Sequence, residues 1–113
     1  MRQIKKSKTV VIKIGTNTLT NDNGIIDDNI MQALVNQVAE IKNHRNIIII
    51  TSGAIGAGMQ ELQLKEKPKD VIMKQVCAGV GQNILMANYH TLFRNHGIKI
   101  AQILLTYNDL SNR

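Results

Sequence analysis

The sequence predicts an α/β protein in which a parallel β-sheet is flanked by helices. Short apolar runs rich in β-branched residues alternate along the chain with longer segments of helical apolar spacing. This alternation gives the order β-loop-α-β-loop-α-β, which is typical of parallel strands joined by right-handed crossovers. With 113 residues, the chain is long enough for one domain or for part of one.

The first strand is predicted at Thr9–Ile14, a nearly continuous apolar run of the kind that is covered on both faces. Gly15 ends this strand, and the polar segment Thr16–Gly24 is predicted to be a loop. Asp27 or Asp28 can cap the helix that follows. The apolar residues of this helix recur at helical spacing, namely Ile30/Met31, Leu34/Val35, Val38 and Ile41.

This first long helix is predicted to end near Asn43–His44, and a second strand follows at Asn46–Thr51. The small residues of Ser52–Gly58 end the second strand. A second long helix is predicted after the polar segment Lys65–Asp70. It ends at Gly97, since glycine is the usual residue just past a helix terminus.

A third strand is predicted in the apolar run Ile98–Leu105, and Thr106–Arg113 is predicted to form a turn and the start of another helix. Three parallel strands with two main helices would leave one sheet edge and part of one face uncovered. We therefore expect residues 1–113 to be the N-terminal part of a larger domain, or to lack a partner.

The composition indicates a soluble globular protein of the cytoplasm. The net charge is +6, but five of the fourteen cations lie in the first thirteen residues and few aromatic residues are present, so we expect no nucleic-acid role. No apolar run is long enough to span a membrane. Cys77 is the single cysteine, which excludes an internal disulfide framework. The three histidines share no metal-ligand spacing and are predicted to lie at the surface or at helix ends: His44, His90 and His96.

The first candidate binding segment lies where the first strand ends. Lys13 stands in an otherwise apolar strand, where an unpaired ammonium group would be costly. It either reaches past the strand end towards an anion or pairs with a carboxylate. A third interpretation is a lysine on an edge strand whose side chain extends along an apolar surface into water. Gly15 lets the backbone approach a ligand closely and offers its N–H to anionic oxygens.

The second candidate segment is Thr51–Gly58, where hydroxyl groups and backbone N–H groups stand at a strand-to-helix turn. Such a turn can bind anions, because unpaired amides and the helix dipole face the ligand. The glycine pattern fits neither GxxxxGK[ST] nor GxGxxG. From spacing alone, a tight turn packed on the sheet is an equally good interpretation.

The third feature is Lys74–Gln82, which places Gly79 and Gly81 inside the second long helix. Each glycine costs about 1 kcal/mol relative to alanine in a helix, so a close helix–helix or helix–sheet approach is expected. Cys77 falls on the apolar stripe and is predicted to be a core residue. Gln75 and Gln82 would then face a pocket or an interface.

Four segments together resemble the amino-acid kinase family, in its order and spacing: VVIKIGTNTLT (10–20), IIIITSGAIGAG (47–58), KQVCAGVGQ (74–82) and QILLTYNDL (102–110). The strand with the lysine belongs to the wider family. The later segments are similar to the branch that acts on L-glutamate. The resemblance implies a three-layer αβα sandwich, of which this chain would be the N-terminal portion without the nucleotide-binding half.

The resemblance also implies ATP-dependent, Mg²⁺-assisted phosphorylation of the γ-carboxylate of L-glutamate, the first step towards proline. It implies that Lys13 acts as a catalytic residue on the ATP phosphates, with Gly15 and Thr16 beside them. Ser52, Gly53 and Ala54 would hold the glutamate. The full-length enzyme would be a homo-oligomer, and the isolated segment would be inactive.

Two alternatives to this assignment stay open. One is another member of the family that acts on a different carboxylate or carbamate, since the lysine strand and the glycine-rich turn are shared. The other is a non-catalytic remnant or partner subunit that binds an acidic small molecule.

Overall fold

The computed structural model describes residues 8–103 and contains two strands and four helices within that range. In chain order they are β1 (Thr9–Lys13), α1 (Thr16–Leu19), α2 (Asp28–Lys42), β2 (Asn46–Ile50), α3 (Ala54–Glu61) and α4 (Val71–Arg94). The two strands pair in parallel, with Thr9 opposite Asn46 and Lys13 opposite Ile50. A parallel α/β arrangement, as predicted, is therefore confirmed.

Both long helices begin at an aspartate cap. The carboxylate of Asp27 accepts hydrogen bonds from the backbone N–H groups of Asn29 at 2.9 Å and Ile30 at 3.2 Å. The carboxylate of Asp70 accepts one from the backbone N–H of Met73 at 2.6 Å. These contacts satisfy amide groups that have no partner within the first turn of a helix.

The predicted ends of both long helices are also confirmed. Helix α2 ends at Lys42, next to the predicted boundary. Helix α4 ends at Arg94, and Gly97 follows with a φ of 71°, a left-handed conformation that glycine adopts at little cost. The N–H of Ile98 donates back to the carbonyl oxygen of Phe93 at 3.0 Å, which closes the terminus.

The core lies on one side of the sheet, between the strands and the two long helices. Alternate strand residues such as Ile12, Ile47 and Ile49 pack against it. The buried residues of the core are Ile14, Leu19, Ile26, Met31, Val35, Val38, Ala57, Met59, Cys77, Leu85, Tyr89 and Phe93. Burial of these side chains is the main favourable contribution to the stability of the fold.

The opposite face of the sheet is exposed in residues 8–103. Val11 is 57% exposed, and Ile48 and Ile50 are 47% and 51% exposed. The expectation that Thr9–Ile14 is covered on both faces is therefore wrong for the part of the chain that the structure describes. The reason is that the core helices pack on one face only, whereas the sequence run is apolar on both.

Three local predictions also need correction. The predicted loop Thr16–Gly24 contains the short helix α1, and the predicted order lacked α3, which begins within Ser52–Gly58. Helices of four and eight residues are too short to show a clear apolar period. Of the predicted third strand, residues 98–103 do not form a strand, and Leu104 and Leu105 lie outside the described residues. An apolar run becomes a strand only when a neighbouring strand pairs with its backbone.

Candidate functional site

The carboxyl ends of β1 and β2 form the candidate site. Parallel pairing brings the two strand ends to the same edge of the sheet. The backbone N–H of Ile14 donates to the carbonyl oxygen of Ile50 at 2.8 Å. The hydroxyl group of Ser52 donates to the carbonyl oxygen of Ile14 at 3.1 Å. Lys13–Thr16 and Ser52–Ala54 therefore lie side by side, as expected for segments that follow the carboxyl ends of neighbouring parallel strands.

A pair of hydroxyl groups links the two segments directly. The Oγ1 of Thr16 donates to the Oγ of Ser52 at 2.9 Å. The Ser52 hydroxyl in turn donates its own proton to the carbonyl oxygen of Ile14. A serine hydroxyl has one proton and two acceptor lone pairs, so both contacts are compatible. The side chain of Ser52 is half-buried and that of Thr16 is exposed, which leaves the pair open to a ligand from one side.

Lys13 and Gly15 flank Ile14 at the end of β1. Lys13 is the last residue of β1 and is exposed, so its ammonium group stays hydrated and its position in an apolar run carries no burial cost. Gly15 is extended, with φ −77° and ψ 160°, and a Cβ at this position would meet no atom within 4 Å. The space beside Gly15 therefore allows a ligand to approach the backbone closely.

The turn after β2 depends on a left-handed glycine. Gly53 has a φ of 109° and caps the N-terminus of α3, and its carbonyl oxygen accepts a hydrogen bond from the N–H of Ala57 at 3.0 Å. A Cβ on Gly53 would lie 3.0 Å from the Cδ1 of Ile26. A side chain at this position would thus be strained in conformation and crowded by the core. Ser52, Gly53 and Ala54 accordingly sit at the amide end of an eight-residue helix.

Close backbone contact with α4 fixes the position of α3. A Cβ on Gly81 of α4 would overlap the carbonyl oxygen of Ala54, and a Cβ on Gly58 of α3 would overlap the carbonyl oxygen of Cys77. The predicted close helix approach is confirmed for Gly81, but it is wrong for Gly79, which faces open space. Cys77 is fully buried, as predicted for a core residue.

Tyr89 lies beside the site and was not predicted from the sequence. Its hydroxyl group lies 2.8 Å from the Oγ1 of Thr51, the residue between β2 and Ser52. Burial raises the pKa of Tyr89. A tyrosine on a core stripe is itself a signal, because a buried phenol requires a hydrogen-bond partner.

The remaining candidates take no part in this site. His44 and His90 are exposed, as predicted, and exposed His96 lies 2.8 Å from the Oδ1 of Asn36. In residues 8–103, no three His, Cys, Asp or Glu side chains come close enough together to hold a metal ion. Within the same range, no helix has the length and apolar character needed to cross a membrane. Gln75 is exposed, and Gln82 borders a groove of about 740 Å³ beside β2.

Comparison with known proteins agrees with these features. The sequence profile of the Amino acid kinase family matches residues 8–113. The chain is 47% identical over 105 residues to a glutamate 5-kinase of Caldanaerobacter subterraneus subsp. tengcongensis, covering 92% of this chain and 28% of that relative. It is 44% identical over 111 residues to a glutamate 5-kinase of Citrifermentans bemidjiense, covering 97% of this chain and 30% of the relative.

A glutamate 5-kinase of Symbiobacterium thermophilum is 43% identical over 111 residues, covering 97% of this chain and 42% of the relative. The chain thus spans less than half the length of each of these three curated relatives. The family profile, in contrast, covers almost the whole of the chain, including both strand ends of the candidate site. The chain belongs to the amino acid kinase family.

Proposed function

We propose that this chain is the N-terminal part of a cytoplasmic glutamate 5-kinase, which transfers the γ-phosphoryl group of ATP to the γ-carboxylate of L-glutamate. The product would be L-glutamyl 5-phosphate, the first intermediate towards proline. The observation that carries this proposal is the contact between Thr16 and Ser52, which joins the two strand ends into one site. The similarity to three curated glutamate 5-kinases supports the choice of glutamate as substrate.

Ser52, Gly53 and Ala54 are proposed to bind the glutamate. The Ser52 hydroxyl and the amide groups at the start of α3 are donors, and a carboxylate accepts hydrogen bonds only. The Ser52 proton now points to the carbonyl oxygen of Ile14. A bound carboxylate would take over that proton by rotation of the hydroxyl group, while Gly53 keeps the backbone of the turn in place.

Lys13, Gly15 and Thr16 are proposed to line the path of the phosphoryl group. Phosphoryl transfer requires little covalent chemistry from the protein and depends on alignment and charge stabilisation. The Lys13 ammonium would stabilise the negative charge that spreads over the transferring group, and Gly15 would offer its N–H to a phosphate oxygen. Because the attacking carboxylate is already ionised at neutral pH, no general base is required.

Magnesium is expected to enter with ATP, since Mg²⁺ is commonly held by substrate phosphates together with one or two carboxylates. The proposed site residues offer an ammonium group, hydroxyl groups and amides, and they include no carboxylate. These residues therefore do not fit a magnesium ligand set. The proposed role of this segment is therefore limited to what its ammonium, hydroxyl and amide groups can do, which is to bind and orient anionic oxygens.

We also propose that residues 1–113 supply the acceptor side of the domain, while the nucleotide-binding half lies elsewhere in the protein that the gene encodes. The limited coverage of the relatives supports this division. The segment alone would then lack part of the contacts to ATP. The complete enzyme is expected to be a homo-oligomer.

Two substitutions in the gene-encoded protein test the assignment of roles. Lys13→Met should lower kcat by about 10²–10³, since one preorganised charge contact in the transition state is removed. Ser52→Ala should raise the glutamate KM with a smaller effect on kcat, because a substrate contact exists in ground and transition states alike. Lys13→Arg keeps the charge but changes the donor geometry, so it should restore activity only in part.

The control is Lys65→Met, a change of the same kind at an exposed residue between α3 and α4. Lys65→Met should leave kcat and the glutamate KM unchanged. If Lys13→Met stays folded and behaves like Lys65→Met, Lys13 is a hydrated surface lysine and its proposed role is wrong.

A further inference from the structure

A line of hydroxyl groups runs from the buried face of α4 to the turn after β2. The Oγ1 of Thr51 donates to the carbonyl oxygen of Ser52 at 3.1 Å. Since a threonine hydroxyl has a single proton, it must accept in its second contact. The hydroxyl of Tyr89 is therefore the donor in the 2.8 Å contact with Thr51.

The side chain of Tyr89, which begins this chain of hydrogen bonds, is held in position by its surroundings. The residue is 3% exposed, and its ring stacks on that of Phe93 with a centroid distance of 6.2 Å and an interplanar angle of 19°. The helix that carries it is locked to α3 through Gly81. Burial raises the pKa of Tyr89 above its ordinary value near 10, so the phenol keeps its donor proton across the neutral range.

Two hydrogen-bonded lines thus converge on one residue. From one side, Tyr89 acts through Thr51 on the carbonyl oxygen of Ser52. From the other side, Thr16 donates to the side chain of Ser52, which donates onward to Ile14. The first line holds the peptide group between Ser52 and Gly53, and the second holds the hydroxyl group. The carbonyl oxygen and the hydroxyl oxygen of Ser52 are therefore held in position before any ligand arrives, and only the hydroxyl proton has to rotate.

We propose that Tyr89 is a positioning residue, whose hydroxyl group acts through Thr51 to orient the Ser52–Gly53 peptide for binding the acceptor carboxylate. The identification of that carboxylate as glutamate rests on the proposed function, whereas the orientation of the turn does not. Tyr89 itself contacts no substrate in this arrangement. Its effect is transmitted through one intervening hydroxyl.

Tyr89→Phe separates this role from packing, because it keeps the ring and removes only the hydroxyl group. In the gene-encoded protein, we expect the glutamate KM to rise about 5- to 30-fold, with kcat changed less than about threefold, as for the loss of one buried hydrogen bond. The KM for ATP should stay the same. Thr51→Val should give the same increase, and Thr51→Ser, which keeps the hydroxyl, should restore the wild-type value.

Two further variants sharpen the comparison. The double variant Tyr89→Phe/Thr51→Val should be no worse than either single variant, since both changes break the same line. Thr91→Val is the matched control, because it removes a threonine hydroxyl from an exposed position of α4, two residues from Tyr89. It should leave the glutamate KM unchanged.

Amide hydrogen exchange of the turn provides a readout that does not depend on the substrate. Exchange at Ser52–Ala54 should be faster in Tyr89→Phe than in wild type and unchanged in Thr91→Val. If exchange changes as expected but the wild-type protein does not use glutamate, the proposed substrate is wrong and the positioning role stands. If exchange at the turn is unchanged, or if wild type uses glutamate and Tyr89→Phe leaves its KM unchanged, the positioning role is overturned.

Discussion

Two glycines of α4, separated by one residue, should respond in opposite ways to the same substitution. Gly81 lies against α3, where a Cβ would overlap the carbonyl oxygen of Ala54 and the backbone nitrogen of Gly58. Gly79 is exposed, and a Cβ there would meet nothing within 4 Å. Gly81→Ala therefore forces two helices apart, whereas Gly79→Ala only adds a methyl group on the open side of the same helix.

The magnitudes follow from two opposing contributions. Replacing a helical glycine by alanine stabilises the helix by about 1 kcal/mol at either position. Overpacking costs about 1–3 kcal/mol, and the upper end applies to Gly81 because the obstacle is backbone that cannot rotate away. We expect Gly81→Ala to lower the free energy of unfolding by about 2 kcal/mol and Gly79→Ala to raise it by about 1 kcal/mol.

Urea unfolding of the two variants and the wild type measures these differences. The displacement of Ala54 should also raise the glutamate KM in Gly81→Ala, while Gly79→Ala should keep the wild-type value. If both alanine variants are equally stable, the close contact between α3 and α4 does not exist in solution. The account of how the turn is held in place would then have to be abandoned.

Two other predictions concern the helix cap and the buried phenol. Asp27→Ala should lower the free energy of unfolding by about 1 kcal/mol, because the carboxylate caps two amides of α2. Asp28→Ala removes no cap and is the control. Equal losses of stability in urea unfolding would contradict the capping role of Asp27. The folded-state pKa of Tyr89 is raised, so its contribution to stability is complete below pH 10 and falls as the pH rises through 10 towards the folded-state pKa. Urea unfolding across this range should show the difference between wild type and Tyr89→Phe shrinking, and a constant difference would argue against a buried phenol.

The features predicted correctly from sequence are those with a local chemical cause. Asp27 and Gly97 act at helix ends because a carboxylate caps amides and a glycine tolerates positive φ, and neither requires knowledge of the rest of the fold. The proximity of Lys13–Thr16 and Ser52–Ala54 can be inferred from the parallel pairing of the two strands alone. These inferences needed only the order of the elements.

The features that were missed depend on partners distant in sequence. Periodicity places both Gly79 and Gly81 on α4 but does not reveal which of them faces α3. The contact between Tyr89 and Thr51 joins residues 38 positions apart, so the pattern around either residue contains no sign of the other. The apolar character of Val11 and Ile48 favoured a covered face, and only the small number of helices indicated that part of one face would be exposed. Backbone pairing of residues 98–103 likewise could not be decided from their apolar character.

The most direct test of the account is an ATP-dependent acyl phosphate assay with hydroxylamine trapping. Purified gene-encoded protein should form γ-glutamyl hydroxamate from L-glutamate and ATP, and other small carboxylates should give much less product. The 113-residue chain alone should give none. Failure of the gene-encoded protein to phosphorylate glutamate, with efficient phosphorylation of another carboxylate or of carbamate, would contradict the proposed substrate. Turnover by the 113-residue chain near that of the gene-encoded protein would contradict the proposed division of the domain.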